Sequence, residues 1–306
     1  MNKINRFTTL NDALEAIFGD EVSLRRRDRI YGGDINDAFC LTLSNGSRVF
    51  MKANSMQNAN FFTAEALGLW ALGQTGEIGV PEALGTGIDR DGHFSFLLME
   101  FIEKAPRNKT YWETFGHRLA ALHRCDTTAF VPNGEENGTY GFLEDNFIGA
   151  NVQRNTPKAS WIDFYRECRL LPQIRLVDSH LDASMRKGLA YLLDHLDSFL
   201  PEPDFPSLLH GDLWSGNTLC GSDGTAWILD PAAYVGHSEA DLAMTQLFGG
   251  FPETFYRAYH EVLPIDSGYD ERRDMYHLYH LLNHLNLFGR SYLGEVKEVL
   301  KRYTGI

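Results

Sequence analysis

Apolar residues first recur at helical spacing at Leu10, Leu14, Ile17 and Phe18, and Gly19 stands where such a helix would end. The period then shortens. The stretches 24–30, 38–43 and 49–52 read as strands, with Gly32 and Gly33 at the first turn and Asn45-Gly46, a strong hairpin signal, at the second. Phe61, Phe62, Ala66, Leu69, Trp70 and Gly73 restore the helical period, and 94–102 reads as a last strand running into a linker at 103–108. Beyond it helices dominate. One carries Phe115, Leu119 and Leu122. A longer one carries Met185, Leu189, Leu192, Leu193, Leu196 and Phe199, and the proline-rich 201–206 stops it. Leu208-Leu209 reads as a short strand, and a hairpin follows, with strands at 218–220 and 226–229 around a turn at 221–224. The pattern predicts an α+β chain with a small β-rich lobe at 1–102 and a larger, mostly helical lobe at 103–306, without internal repeats.

The densest chemistry lies between the last two strand regions. His210-Gly211-Asp212-Leu213-Trp214-Ser215-Gly216-Asn217 is followed by Ile228-Leu229-Asp230, so an Asn stands five residues and a second Asp eighteen residues after Asp212. That is the spacing of a kinase catalytic loop and its metal-binding aspartate. Phosphoryl transfer needs in-line positioning and charge compensation more than covalent help. In this reading Asp212 accepts the proton of the attacking hydroxyl, while Asn217 and Asp230 offer oxygen ligands to Mg²⁺. The competing reading is a chance tripeptide and an ordinary Asp-Pro turn, which the three correctly spaced residue types disfavour.

A kinase must also hold ATP, and the first lobe offers the parts in order. Gly32 and Gly33 would let backbone approach phosphate, although such a pair is more often only a tight turn. Lys52 ends a strand among apolar neighbours and needs an anionic partner, which Glu65, set into the apolar face of the next helix, can supply. Either residue alone would read as a surface charge. Taken in the order turn, Lys, Glu, HGD, Asn, Asp, they read as an ion pair that directs Lys52 onto the α- and β-phosphates. By position in that order, backbone groups of Glu100 and Ile102 are expected to dock the adenine.

These motifs resemble the fructosamine kinase (ketoamine kinase) family, within the aminoglycoside-phosphotransferase-like kinases. HGD with an Asn five on, and Asp-Pro in place of Asp-Phe-Gly, is similar to the larger group. The segments 209–217, 236–244 (Gly-His-Ser-Glu-Ala-Asp-Leu-Ala-Met), 161–165 (Trp-Ile-Asp-Phe-Tyr) and 279–289 are similar to the narrower family, over nearly the whole chain. The resemblance implies a two-lobed protein-kinase-like fold and ATP-dependent phosphorylation at C3 of the sugar of a ketoamine, a glycated amine that is then released. It also implies that Asp241 bonds the catalytic-loop backbone, although from sequence it reads equally as a helix N-terminal acid. Some relatives carry a Cys in the glycine-rich loop. Here Asp34 stands in that place, so redox control through a loop disulfide is not expected.

Composition narrows the setting. A net charge of −13 argues against a general nucleic-acid binder and suits a cationic amine. Cys40, Cys125, Cys168 and Cys220 are scattered without a CxxC, which suggests reduced core thiols. No leader-like or membrane-spanning apolar run occurs, so a cytoplasmic enzyme without a membrane partner is expected. His277, His280 and His284 share one helix face that could bind zinc, but the flanking Tyr276, Leu281 and Leu285 favour packing or hydrogen bonding. Trp161, Trp214 and Tyr234 are the candidates to line a substrate pocket. Alternatives to a ketoamine kinase are a kinase of another hydroxylated amine, aminoglycoside- or choline-like, and an idle nucleotide-binding module. Intact Lys52, Glu65, Asp212, Asn217 and Asp230 count against the last.

Overall fold

The computed structural model describes residues 4–31, 36–132 and 139–305, so Gly32, Gly33 and Asp34 lie outside the described residues. The chain divides into two compact units. One comprises Met1–Tyr111 with Thr218–Pro231, and the other Trp112–Asn217 with Ala232–Ile306.

The first unit is built on a six-stranded sheet. Its strands are β1 (Arg6–Phe7), β2 (Leu24–Ile30), β3 (Asp37–Leu43), β4 (Arg48–Asn54), β5 (Ala83–Asp89) and β6 (Phe94–Glu100), in the order β1-β5-β6-β4-β3-β2. Only the β1–β5 pair is parallel. Helix α1 (Leu10–Phe18) is capped by Thr9, whose hydroxyl accepts from the Asp12 N–H, and it stops at Gly19. Helix α2 (Ala59–Gln74) follows β4. Successive strand side chains point to opposite faces, and the two helices use one face each. Leu10, Ala13 and Leu14 of α1 pack with Leu41, Val49, Met51 and Leu98. Phe62, Ala66 and Leu69 of α2 pack with Leu97, Met99 and Phe50. The same alternation turns Lys52 toward α2. Strand β2, at the sheet edge, carries Arg25, Arg26, Arg27 and Arg29, charges that discourage pairing with a further strand. Strand β6 ends at Glu100, two residues before the expected end.

The second unit begins at Trp112, one residue into α3 (Tyr111–His123), which bears Phe115, Leu119 and Leu122 on its buried side. A two-stranded piece, β7 (Asn146–Ile148) and β8 (Asn151–Gln153), precedes α4 (Trp161–Phe164). The chain then passes through a π-helical turn, Tyr165–Leu170, into α5 (Leu171–Leu176). Helix α6 (Ala183–Asp194) is capped by Asp182 and is shorter than the leucine pattern predicts. It ends because His195 leaves helical backbone at φ −120°, and Leu196–Ser198 form a separate 3₁₀ turn that buries Leu196 in its own way. Strand β9 (Ser207–Leu209) leads to the HGD segment. The hairpin β10 (Thr218–Cys220) and β11 (Ala226–Ile228) then belongs to the first unit, where Ile228 donates to the Gly79 carbonyl at 2.9 Å and Ala105 to the Cys220 carbonyl at 2.9 Å. Back in the second unit, β12 (Tyr234–Gly236) pairs with β9, and α7 (Glu239–Leu247), α8 (Glu253–Val262), α9 (Tyr269–Phe288) and α10 (Leu293–Thr304) complete the helical body. Among the described residues no helix is long and apolar enough to cross a membrane.

The seat of the hairpin rests on Gly79, where a Cβ would lie 2.8 Å from the Ala226 carbonyl oxygen and 2.8 Å from the Trp227 indole. Replacing Gly79 by Ala should therefore cost ~1–3 kcal/mol through overpacking. Urea unfolding measures this, and an unchanged midpoint would show that the hairpin does not dock there.

Candidate active site

In the first unit the strand alternation and helix α2 bring three predicted residues together. Lys52 Nζ donates to Glu65 Oε1 at 2.6 Å and to Asp230 Oδ1 at 2.6 Å, with Lys52 only 7% exposed. Burial alone would drive this ammonium toward its neutral form, but Asp230 and Glu65 more than offset it and raise the pKa, so Lys52 stays a cation. Asp230 is held in the left-handed region at φ +56°, directly before Pro231. Few non-glycine residues adopt that backbone, and a following proline narrows the choice further. The strain aims the carboxylate from the end of β11 at Lys52, a cost that sites of function tolerate. Half of the Asp230 side chain remains exposed. Glu100 ends β6 with its N–H donated to Glu82, and Ile102 follows in the irregular segment before Lys104.

In the second unit the HGD segment is held from beneath by one carboxylate. Asp241 Oδ2 accepts the His210 N–H at 2.7 Å and Oδ1 the Gly211 N–H at 2.9 Å, the bond that the resemblance implied. His123 Nε2 stands 3.3 Å from Asp241, and its Nδ1 2.7 Å from the Tyr259 hydroxyl. Burial pushes the Asp241 pKa up, but His123, His210 and the Gly211 N–H overcome it and leave it low, so the carboxylate is ionised. Gly211 sits at φ +81°, where a Cβ would lie 2.1 Å from the Ala232 carbonyl oxygen, so no other residue fits this turn.

Past that turn, Asn217 Nδ2 donates to the Asp212 backbone oxygen at 2.9 Å and to its carboxylate Oδ2 at 3.2 Å. The Asn217 amide is thus turned nitrogen toward Asp212, which leaves its Oδ1, a hard oxygen donor, for a cation. Asp230, with one oxygen on Lys52 and a half-exposed carboxylate, is equally suited to a hard cation. Both side chains fit Mg²⁺ in donor chemistry. Trp214, 39% exposed, folds over Gly216, where a Cβ would lie 2.2 Å from the indole.

The other two aromatic candidates need correction. Trp161 is fully buried, ringed by Phe164, Tyr165 and Tyr276, and Tyr234 is buried under the Arg169 guanidinium at 3.8 Å. They are core side chains, because α4 and β12 turn them inward. Arg169 itself escaped sequence reading: it is fully buried, faces the Tyr234, Phe164 and Tyr279 rings and donates to Arg154 O, Cys168 O and Asn155 Oδ1. No motif marks it, and the π-helical turn that carries it has no sequence period. His123 was missed for the same reason. The α9 histidines are used in packing: His277 Nε2 bonds the Ala243 carbonyl at 2.8 Å and His284 Nδ1 the His280 carbonyl at 2.8 Å, while His280 is buried.

The comparisons with known proteins decide the lineage. The fructosamine kinase family model matches residues 6–305. The chain belongs to the fructosamine kinase family. It is 38% identical over 295 residues to a "Probable ketoamine kinase" of Synechocystis sp., covering 96% of this chain and 95% of that one. The crystal structure described as a "putative fructosamine-3-kinase" from Thermobifida fusca YX-ER1 superposes with a TM-score of 0.81 at 32% identity, over 96% of this chain and 97% of that one. A choline kinase of Streptococcus pneumoniae, 13% identical, reaches a TM-score of 0.59 over 97% of this chain and 98% of that one, which speaks for the fold alone. The fold is thus the protein-kinase-like α+β fold of this wider group of small-molecule kinases.

Two buried histidines lie beyond the HGD segment in the chain, His237 directly after β12 and His280 within α9. Burial holds both His237 and His280 down at a pKa of about 3. Unfolded, each would protonate near pH 6.5, so between about pH 3 and 6.5 the unfolded chain binds more protons and stability falls as pH drops, by up to ~1.4 kcal/mol per pH unit for each. In His280→Gln the slope of unfolding free energy against pH should lessen by about that amount, and an unchanged slope would mean that His280 is not held neutral.

Proposed function

We propose that this fructosamine kinase family member transfers the γ-phosphoryl group of ATP to the C3 hydroxyl of the sugar in ketoamines such as fructosamines and ribulosamines, and so leads to release of the amine. The observation that carries the reading is the HGD loop, in which a bidentate Asp241 fixes the backbone and Asn217 orients Asp212. Asp212 takes the hydroxyl proton as the sugar oxygen bonds to phosphorus and the bond to ADP breaks. Lys52, kept charged between Glu65 and Asp230, is the contact for the α- and β-phosphates. Asn217 and Asp230 are the Mg²⁺ ligands of this reading, and the ion when bound neutralises phosphate charge. Glu100 and Ile102 remain the proposed adenine-side backbone, and Gly32 and Gly33 the proposed phosphate turn. Trp214 is the remaining proposed sugar-side ring. The buried thiols Cys168 and Cys220, held protonated by burial, suit a reducing, cytoplasmic setting.

Asp212→Asn should lower kcat by ~10²–10⁴ while ATP affinity persists, because other residues hold the nucleotide. Isothermal titration with a nucleotide analogue and steady-state rates separate the two, and near-normal turnover would remove Asp212 from the role of base.

A glycated lysine should be phosphorylated with kcat/KM at least ~10²-fold above choline or an aminoglycoside, since polar groups matched to a sugar are left unpaired by the wrong ligand. Free amine should then appear without added hydrolase. Turnover of choline or an aminoglycoside with inert ketoamines would keep the kinase fold and overturn the substrate.

A further inference from the structure

Five rings run away from the HGD loop across the surface of the second unit. Trp214 meets Phe248 at 6.4 Å between centroids, Phe248 meets His284 at 5.1 Å, and His284 meets Phe288 at 5.4 Å and Tyr292 at 5.0 Å. They come from separate places in the chain: the catalytic loop, the residue after α7, the last turns of α9 and the turn that follows it. Three of them are open to solvent, Trp214 at 39%, Phe248 at 42% and Phe288 at 52%. Exposed aromatic side chains joined into one patch mark a surface that something covers.

We propose that this ladder is the docking surface for the polypeptide around a glycated lysine, where it grips an apolar or aromatic side chain neighbouring that lysine. The inference rests on the ketoamine kinase reading above. Trp214, where the ladder begins, donates its N–H to the Asp212 carbonyl at 3.1 Å, so the ladder starts on the loop that bears the proposed base. Three successive ring steps carry it well past the reach of one monosaccharide, which Trp214 alone would cover. The occupant is therefore the body that carries the sugar. In a ketoamine the nitrogen next to the sugar is a secondary ammonium, which the indole face of Trp214 can attract. Beyond it the rings offer rigid, apolar contact area at low entropic cost, the chemistry that selects a neighbouring apolar or aromatic residue rather than a charged one.

The test uses three glycated substrates carrying the same sugar: glycine, a peptide with the glycated lysine between glycines, and the same peptide with phenylalanine beside the lysine. The phenylalanine peptide should show kcat/KM ~10-fold above the glycine-flanked peptide, through KM, the worth of one added aromatic contact. In Phe288→Ala and in Tyr292→Ala that ratio should fall toward one. Equal kcat/KM for the two peptides in the wild type, or a preference that survives both substitutions, overturns the ladder while leaving the ketoamine kinase reading intact. If sedimentation shows self-association that both substitutions abolish, a second copy of the chain covers the rings and the proposal fails. Failure to phosphorylate any of the three overturns the functional reading and the ladder with it.

Discussion

The second unit is organised around one buried carboxylate. Asp241 is 1% exposed, and a charge so placed is tolerable only if its lone pairs are filled by good donors. It finds them in two consecutive backbone N–H groups, His210 and Gly211, and in His123 on its other flank. Charge-assisted bonds of this kind are among the strong ones, and here they fix a loop that has no regular structure of its own. Everything downstream inherits that placement: the tight turn at Gly211, the carboxylate of Asp212 and the amide of Asn217 that bonds it. Tyr259 of α8 and His123 of α3 extend the network, so the loop is anchored to α3, α7 and α8 together.

The first unit solves the converse problem, a buried cation. Strand alternation alone turns Lys52 toward α2, and an ammonium there needs anions. Glu65 is delivered by the helix that follows, and Asp230 from far along the chain by the docked hairpin. Asp230 pays for its aim with left-handed backbone before a proline. Together the two units set anionic and cationic groups by opposite routes: a fixed carboxylate that orders a loop, and a fixed ammonium that collects carboxylates.

Much of this was legible in the sequence because it is local. Period-2 and period-3.6 patterns located β3, β4, α1, α2, α3 and α9, Asn45-Gly46 marked its hairpin, and the HGD, Asn, Asp spacing named the residues that now cluster at two places. What the sequence did not disclose depends on where side chains end up in three dimensions. Trp161 and Tyr234 carry rings that suit a sugar, and nothing in their neighbourhood along the chain says that α4 and β12 turn them into the core. Arg169 and His123 belong to no motif. The end of α6 is set by one backbone angle at His195, which a run of leucines conceals. Lys52 was expected to pair with Glu65, whereas its second partner, Asp230, lies 178 residues away and becomes visible only once the hairpin is seated.

The hairpin also governs how the gene can be cut. Because Thr218–Pro231 belongs with Met1–Tyr111, the chain passes between the two units three times: after Tyr111, after Asn217 and after Pro231. A truncation at the first crossing leaves an N-terminal fragment without Asp230, so its buried Lys52 keeps only one of its two acids. The matching C-terminal fragment carries an orphan hairpin whose hydrogen-bonding partners at Gly79 and Ala105 have been left behind. Neither piece corresponds to one whole unit and nothing else. A recombination event that exchanges one unit for a relative's must therefore replace two separate stretches of coding sequence at once, and Asp230 in the second stretch travels with Lys52 rather than with the loop beside which it is written.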